Sequence, residues 1–350
     1  MKGKTAPVPT ATLLIGAVIF LAVVVAAVAV WAIRPHGEAG SGLPDAFAYR
    51  LDDYSTVDPS LLRWRQVRSV PVDLKQPWNL AVAPDDGMYV LGDGSVLSFT
   101  PDGELAGRTA LDAEPRSVAV AGSDRPMAGP LFIAFEKHVE VVAPDGERVA
   151  RWAPFEGKAS LTAIAMGENE VFLADAGRRV VVRCDWQGTV LGEIGRRDEE
   201  RGIPGFFIPS PYFDLAVGRD GLLRVVNPGR HSIEYYTPEG RLEQPLTWGR
   251  AGAGIDGFSG CCNPASIALL SDGRTVTSEK GILRVKVYTE QGHLESVVAG
   301  PNDLMPPAAA VDETRTEYRL RAPMVAVDSR NRVLILDPAA KAIRIFEEKR

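Results

Sequence analysis

Hydrophobic positions fall into two regimes along the chain: one long unbroken run near the start, then short clusters that recur to the end. The run, Thr12 to Ile33, reads TLLIGAVIFLAVVVAAVAVWAI and carries no charge over 22 residues. As a helix at about 1.5 Å per residue it covers roughly 33 Å, enough for a hydrocarbon core of about 30 Å. The alternative is a cleaved signal peptide, whose apolar region is usually about 7–15 residues. This run is longer, so the pattern predicts an uncleaved single-pass transmembrane anchor over 12–33. Lys2 and Lys4 precede it without acidic neighbours. That bias predicts a short cytoplasmic tail over 1–11 and the bulk of the chain outside, periplasmic or extracellular. Residues 34–48 are Gly- and Pro-rich at first (RPHGEAGSGLPD) and read as a flexible linker.

From residue 49 the clusters repeat. An apolar-Ala-apolar triplet occurs at Leu80-Ala81-Val82, Val118-Ala119-Val120, Ile164-Ala165-Met166, Leu215-Ala216-Val217, Ile267-Ala268-Leu269 and Val325-Ala326-Val327. About twenty residues later stand Phe99, Val142, Cys184, Tyr236, Tyr288 and Phe346. Each has an apolar residue three positions earlier: Val96, Val139, Val181, Ile233, Val285 and Ile343. Four residues after the first five comes Gly103, Gly146, Gly188, Gly240 or Gly292, which supplies the positive φ of a tight hairpin. Each unit reads as four short antiparallel strands, rich in Val, Ile, Leu, Phe and Tyr. Six such units predict an all-β fold, a six-bladed β-propeller over 49–350 behind the single transmembrane helix. The recurring Ala fits the crowded innermost strand. The sixth unit has only three strands before Arg350. Residues 64–72, WRQVRSVPV, have strand character and are expected to pair near Ile343 to Phe346 and close the ring.

The net charge is −6, and this acidic balance argues against nonspecific nucleic-acid binding, which needs a basic face. The 3 cysteines exclude a disulfide-stapled miniprotein and a four-Cys zinc site.

The repeat resembles the NHL family of propellers. The residues that carry the likeness are the P-x-x-[LIV]-A starts and the turns Ala174-Asp175-Ala176-Gly177-Arg178-Arg179-Val180 and Leu336-Asp337-Pro338-Ala339-Ala340-Lys341. It covers roughly residues 64–350. The run Gly260-Cys261-Cys262-Asn263-Pro264, followed by Ser278-Glu279-Lys280-Gly281, is similar to that of a membrane-anchored bacterial subset with a Cys-Cys-Asn-Pro loop. The resemblance implies a propeller used as a protein-binding scaffold, an RNA binder or a metal-dependent enzyme, and does not select among them.

Three connections between units are long, at 195–211, 249–263 and 300–322, and share one face of the ring. Function on a rigid ring usually resides in such loops, so a site is expected on this face beside units 4 to 6. Cys261-Cys262 has three readings: two reduced, packed thiols; a vicinal disulfide, plausible in an oxidising compartment; or a metal site, for which no His or CxxC lies near. The expectation taken forward is a strained, easily reduced vicinal disulfide, with Cys184 a buried thiol. Asp175, Asn227, Glu279 and Asp337 form a polar column six residues before the apolar one, followed by Arg178, Arg230, Lys280 and Lys341. Asp175 and Asp337 read as turn caps. Glu279-Lys280 departs from that turn and is the better functional candidate. The candidate ligand or partner site is therefore Cys261, Cys262, Asn263, Glu279, Lys280, Asn227, Arg230 and His231, with Cys261 and Cys262 as the redox candidates.

Catalytic signals are poor. The histidines are His36, His138, His231 and His293, and they do not make a three-His zinc site. That argues against the amidating lyase branch of the family. No G-x-S-x-G or H-E-x-x-H occurs, and Gly252-Ala253-Gly254-Ile255-Asp256-Gly257 reads as a flexible loop, without the strand and helix a nucleotide fingerprint needs. Phe206-Phe207 reads as a loop anchor or a contact patch. The expected function is membrane-tethered binding of an extracytoplasmic protein or small ligand, without a cofactor. The alternative is an enzyme or redox accessory: a metal-assisted hydrolase or lactonase with a divalent cation in the central channel, or a thiol-redox role for Cys261-Cys262.

Overall fold

The computed structural model describes residues 21, 24, 25, 54, 56–121, 129–304 and 321–349. Contacts divide the chain into Met1–Arg50 and Leu51–Arg350. Leu21, Val24 and Val25 are helical; the rest of the expected anchor, with the tail and linker around it, lies outside the described residues. Among the described residues no helix is long and apolar enough to cross a membrane.

The second unit is built from strands β1 (Trp64–Pro71), β2 (Pro77–Val82), β3 (Met88–Gly92), β4 (Ser95–Phe99) and β5 (Leu105–Ala110), then β6 (Ser117–Val120), β7 (Leu131–Ala134), β8 (Val139–Val142) and β9 (Arg148–Arg151). The next are β10 (Leu161–Met166), β11 (Val171–Asp175), β12 (Val180–Cys184), β13 (Val190–Ile194), β14 (Leu215–Val217), β15 (Leu223–Asn227) and β16 (Ser232–Tyr236). The last are β17 (Ser266–Leu269), β18 (Thr275–Glu279), β19 (Arg284–Tyr288), β20 (Leu294–Ala299), β21 (Met324–Val327), β22 (Val333–Asp337) and β23 (Ala342–Glu348). They form six antiparallel sheets: β2–β5, β6–β9, β10–β13, β14–β16, β17–β20, and β21–β23 with β1. The first strand of each sheet carries the Ala-centred triplet and touches the first strands of both neighbours, so β2, β6, β10, β14, β17 and β21 make a closed ring. This is the six-bladed propeller that the repeat predicts.

The two apolar columns explain why the blades pack. Val96, Val139, Val181, Ile233, Val285 and Ile343 are buried, as are Phe99, Val142, Cys184, Tyr236, Tyr288 and Phe346 at the ends of the third strands. Such a side chain, fully buried, stabilises by about 1.5–3 kcal/mol. All five column glycines have positive φ, from 80° to 90°. At Gly188 a Cβ would also run into the Trp152 ring, so the turn and the packing both need a residue without one.

Closure also follows expectation. β1 pairs antiparallel with β23, Trp64 opposite Glu348 and Val70 opposite Ile343. Trp64 is 4% exposed, and its indole N–H donates to Ser296 Oγ on β20 at 3.0 Å. The segment therefore completes blade 6 and grips blade 5.

Blade 4 departs from the four-strand expectation. After β16 the chain makes a 3-10 turn at Gln244–Leu246, where Pro245 has no N–H to give to a ladder. Against β16 it forms isolated bridges in place of a strand, Tyr236 with Leu242 before the turn and Ile233 with Trp248 after it.

Candidate functional site

In blades 1, 3, 4 and 5 a polar side chain at or just past the end of the second strand ties down the connection that enters the blade. Asp93 accepts the Lys75 and Gln76 N–H groups at 2.6 and 3.1 Å, and Asp175 accepts that of Ser160 at 2.9 Å. Asn227 Oδ1 accepts the Phe207 N–H and Glu279 the Ser259 N–H, each at 3.0 Å. Asp337 caps its own turn instead, accepting from Ala339 and Ala340, and pairs with Arg344 at 3.1 Å. These contacts hold loops.

At blade 5 the device is largest. Glu279 is 0% exposed and receives the Arg284 guanidinium at 3.0 and 2.9 Å and the Lys286 ammonium at 2.8 Å. Both cations continue to the loop after blade 4. Arg284 donates to the carbonyls of Ala253 and Gly254, Lys286 to those of Ile255 and Gly257, and Tyr288 Oη to that of Asp256. The Lys286 ammonium also lies 4.7 Å from the Phe258 ring centre and 5.1 Å from that of Tyr288. Where blade 4 lacks an outer strand, side chains of blade 5 supply the donors that a neighbouring strand would have given. Burial pushes the Lys286 ammonium down to about 8, with Glu279 opposing the shift.

The expected site residues fall into two groups. Cys261, Cys262 and Lys280 come together beside Tyr212, whose ring has the Lys280 ammonium 4.9 Å from its centre. Asn263 lies behind them. Its amide donates to the carbonyls of Ser259 and Lys280 and its Oδ1 accepts the Lys280 N–H, which fixes the Cys-Cys turn to blade 5. Asn227, Arg230 and His231 belong to the blade 4 turn. Asn227 Nδ2 donates to Glu234 at 2.7 Å. His231 has φ 57°, the left-handed position that Arg179 and Lys341 also occupy in their turns, and burial pushes its imidazole down. Arg230 is exposed.

The expected disulfide is not formed in this structure. Cys261 and Cys262 are free, with sulfurs 3.1 Å apart, beyond the bonded distance of about 2.05 Å. Cys261 is exposed and Cys262 buried. Burial pushes the Cys262 thiol up, with Lys280 offsetting part of it, and pushes Cys184 up to about 12. Labelling of the reduced native protein with a maleimide is therefore expected to modify Cys261 alone. Cys262 and Cys184 should follow only in denaturant; three rapid modifications in the native state would contradict the burial.

The neighbouring aromatic pair divides its roles. Phe206 is buried against Phe213 and Tyr236 at 4.9 and 5.6 Å, while Phe207 is 54% exposed. Phe207 is nonetheless fixed, since its N–H goes to Asn227 and its carbonyl accepts the Gly229 N–H at 2.9 Å. A Cβ at Gly229 would lie 2.6 Å from the Phe207 oxygen, so only glycine permits this approach.

The central channel has room of its own, about 350 Å³, bounded by the six innermost strands. On the tight-turn face it widens into a funnel of about 580 Å³ between Pro84, Val120, Val217, Leu270 and Ser329. Toward the long-loop face the described residues leave only about 30 Å³ among Trp78, Tyr212, Asp214, Arg321 and Met324, room for about one water. Asp214 was not among the residues expected from sequence. It belongs to a further polar column, directly before the triplets, in which Asn79, Asp214 and Ser266 each accept an N–H from the next blade's inner strand: Val118, Ile267 and Val325. Burial pushes the Asp214 carboxyl up to about 6, against the bonds it accepts from Ile267, Ser266 and Leu215.

No protein-family profile matches the sequence, and no curated protein matches it. Similar solved structures include a streptogramin B lyase, with TM-score 0.53 and 10% identity over 83% of this chain and 100% of that one. Virginiamycin B lyase from Staphylococcus aureus has TM-score 0.52 and 10% identity, covering 81% of this chain and 99% of its own. A protein of unknown function from Bacteroides thetaiotaomicron has TM-score 0.54 and 16% identity, covering 81% and 72%. Neither the NHL resemblance nor its Cys-Cys-Asn-Pro subset is matched beyond the propeller itself. At these identities the likeness shows the fold alone: the chain is similar to propeller lyases and to propellers of unknown function.

Proposed function

We propose that this chain is a membrane-tethered, extracytoplasmic binding propeller whose long-loop face docks a protein partner. The observation that carries the reading is the fixing of that face. A loop of irregular backbone is locked through buried Glu279, Arg284 and Lys286, and the exposed Phe207 ring is held by two backbone bonds. Buried ion pairs add little net stability because desolvation offsets their attraction; their best use is to select one conformation. A pre-ordered surface loses less entropy on association. Phe207 and the exposed Arg230 fit an aromatic anchor beside a cation, which suits a partner segment with acidic and apolar residues. The apolar run over 12–33 and the lysines before it support the tether and its direction.

A second reading, thiol–disulfide chemistry at Cys261-Cys262, is favoured by the 3.1 Å sulfur separation. Two electrons and two protons would pass to an external disulfide or quinone. The raised Cys262 thiol stands against it, because the thiolate is the attacking form. For a metal-assisted hydrolase, no group of three or more His, Cys, Asp or Glu that could hold an ion occurs among the described residues.

The test places a photo-crosslinking residue at Phe207, with a control at Asp272 on the opposite face, in intact spheroplasts. A membrane-impermeant maleimide on the same cells reads the topology through Cys261. The expected result is a discrete adduct from position 207, none from 272, and labelling of Cys261 without lysis. Adducts from neither position, or equally from both, would remove the docking reading. Labelling only after lysis would remove the extracytoplasmic one.

A further inference from the structure

The channel and Asp214 are not used by docking on the long-loop face, and together they describe a second site. Among the described residues Asp214 is the one ionisable side chain on the barrel wall, which holds no basic side chain. The rest is neutral: the six alanines of the triplets, a collar of Val82, Val120, Met166, Val217, Leu269 and Val327 toward the tight-turn face, and Asn79, Ser117 and Ser266 level with Asp214. The channel thus has an entrance about 580 Å³ in volume, bordered by Arg219, Asp220, Arg224, Glu290 and Asp328 with both signs of charge, a barrel of alanine and aliphatic side chains, and a carboxylate at the far end. At that end the space narrows to about 30 Å³, so the funnel is the roomy approach among the described residues.

We propose that the central channel binds a small organic monocation, a primary amine with a short hydrocarbon tail, entering from the tight-turn face and placing its ammonium at Asp214.

The charge pattern selects this class. Inside the barrel an anion would meet Asp214, the one charge there among the described residues, and with the wrong sign. A divalent metal needs several oxygen ligands with more than one carboxylate's charge, and the wall offers a single carboxylate. An alkylammonium needs one carboxylate and one or two neutral oxygens for its three N–H donors, with apolar surface for the tail. Asn79, Ser117 and Ser266 line the barrel at the same level of the triplets; the oxygens of Asn79 and Ser266 accept from Val118 and Val325 and each has a second lone pair to offer. The hydrogen bonds from Ile267 and Leu215, both at 2.9 Å, fix the carboxyl without cancelling its charge. Burial raises its pKa to about 6, and a bound ammonium would offset that desolvation.

The experiment is calorimetric titration of the full chain with n-butylammonium, n-butanoate and 1-butanol, well above pH 6 so that Asp214 is charged. Butylammonium is expected to bind saturably, the other two at least about tenfold more weakly. Asp214→Asn should weaken butylammonium at least about tenfold. Val217→Trp, which leaves the carboxylate in place and fills the collar, should abolish binding. Glu290→Gln, on the rim of the funnel, should change it little. Thermal melts establish which variants are folded; if Asp214→Asn is not, Val217→Trp decides. The proposal is overturned if the wild type shows no saturable binding, if butanoate binds as well as butylammonium, or if binding survives in the folded channel variants.

Discussion

Deletion of residues 60–73 is expected to abolish cooperative unfolding of the propeller. The segment supplies β1, the outer strand of blade 6, and with it the buried Trp64 and Val70. Its loss uncovers Ile343, Ile345 and Phe346 on β23 and leaves Ser296 without the Trp64 indole. At about 1.5–3 kcal/mol for each large apolar side chain returned to water, a handful of such groups matches the whole stability of an ordinary domain, about 5–15 kcal/mol. The freed edge of β23 would also offer unpaired backbone to other molecules. Calorimetry and size-exclusion chromatography check this: a broad or absent transition with soluble aggregates is expected. A monomer that melts like the full chain would show that closure rests on other contacts.

The second large effect is expected at Glu279. Glu279→Ala strands two buried cations, Arg284 and Lys286, and should cost about 3–5 kcal/mol in denaturant unfolding. Lys286→Met should cost less, because Glu279 keeps its pairing with Arg284 and the methionine fills the space beside Phe258 and Tyr288. The double variant should be less destabilised than the sum of the two, since removing Lys286 relieves part of the charge that Glu279→Ala leaves uncompensated. The pH profile adds an independent reading. Lys286 falls from an ordinary 10.5 to about 8 in the folded protein. Below about 8 both states hold the proton, and folding bears the full penalty. Between 8 and 10.5 the unfolded chain binds more protons, so this group's contribution makes stability rise with pH. Lys286→Met should remove that rise. Equal pH profiles for wild type and Lys286→Met would mean that the ammonium is not desolvated as the packing implies.

Much of the ring was legible in the sequence because its physics is periodic. Every blade must bury the same positions, so Val181 and Cys184 line up with Val285 and Tyr288, and each hairpin needs glycine at one place. Closure by 64–72 was legible for the same reason, since a sixth unit with three strands leaves a ladder to be filled. What escaped is what differs between blades. The loss of the outer strand from blade 4 is a local choice by Gln244-Pro245-Leu246, which no column records. The charged pair Arg284 and Lys286 did signal it, because alternation within β19 puts both on a buried side, where charges need partners. Glu279 was found, but as a candidate functional group; its solvent-free pairing makes it the centre of a loop clamp. Asp214 stood in plain register with Asn79 and Ser266 and was passed over, because its meaning depends on the channel that the ring encloses. The expected disulfide did not follow from adjacency alone: the turn held by Asn263 exposes one thiol and buries the other.

Ring closure also sets a clock. Gln66 and its partner Arg344 are 278 positions apart. At about 5–20 residues per second, the first strand leaves the ribosome on the order of tens of seconds before the strand that receives it exists. During that interval β1 is an unpaired edge, and the first and the newest blade each have a neighbour on one side only. The last blade cannot be finished by local folding; it waits for the oldest part of the chain. Synthesis of this protein must therefore keep an early strand from pairing elsewhere, and a pause or truncation near its end would leave an open arc with two sticky ends in place of a slightly shorter ring.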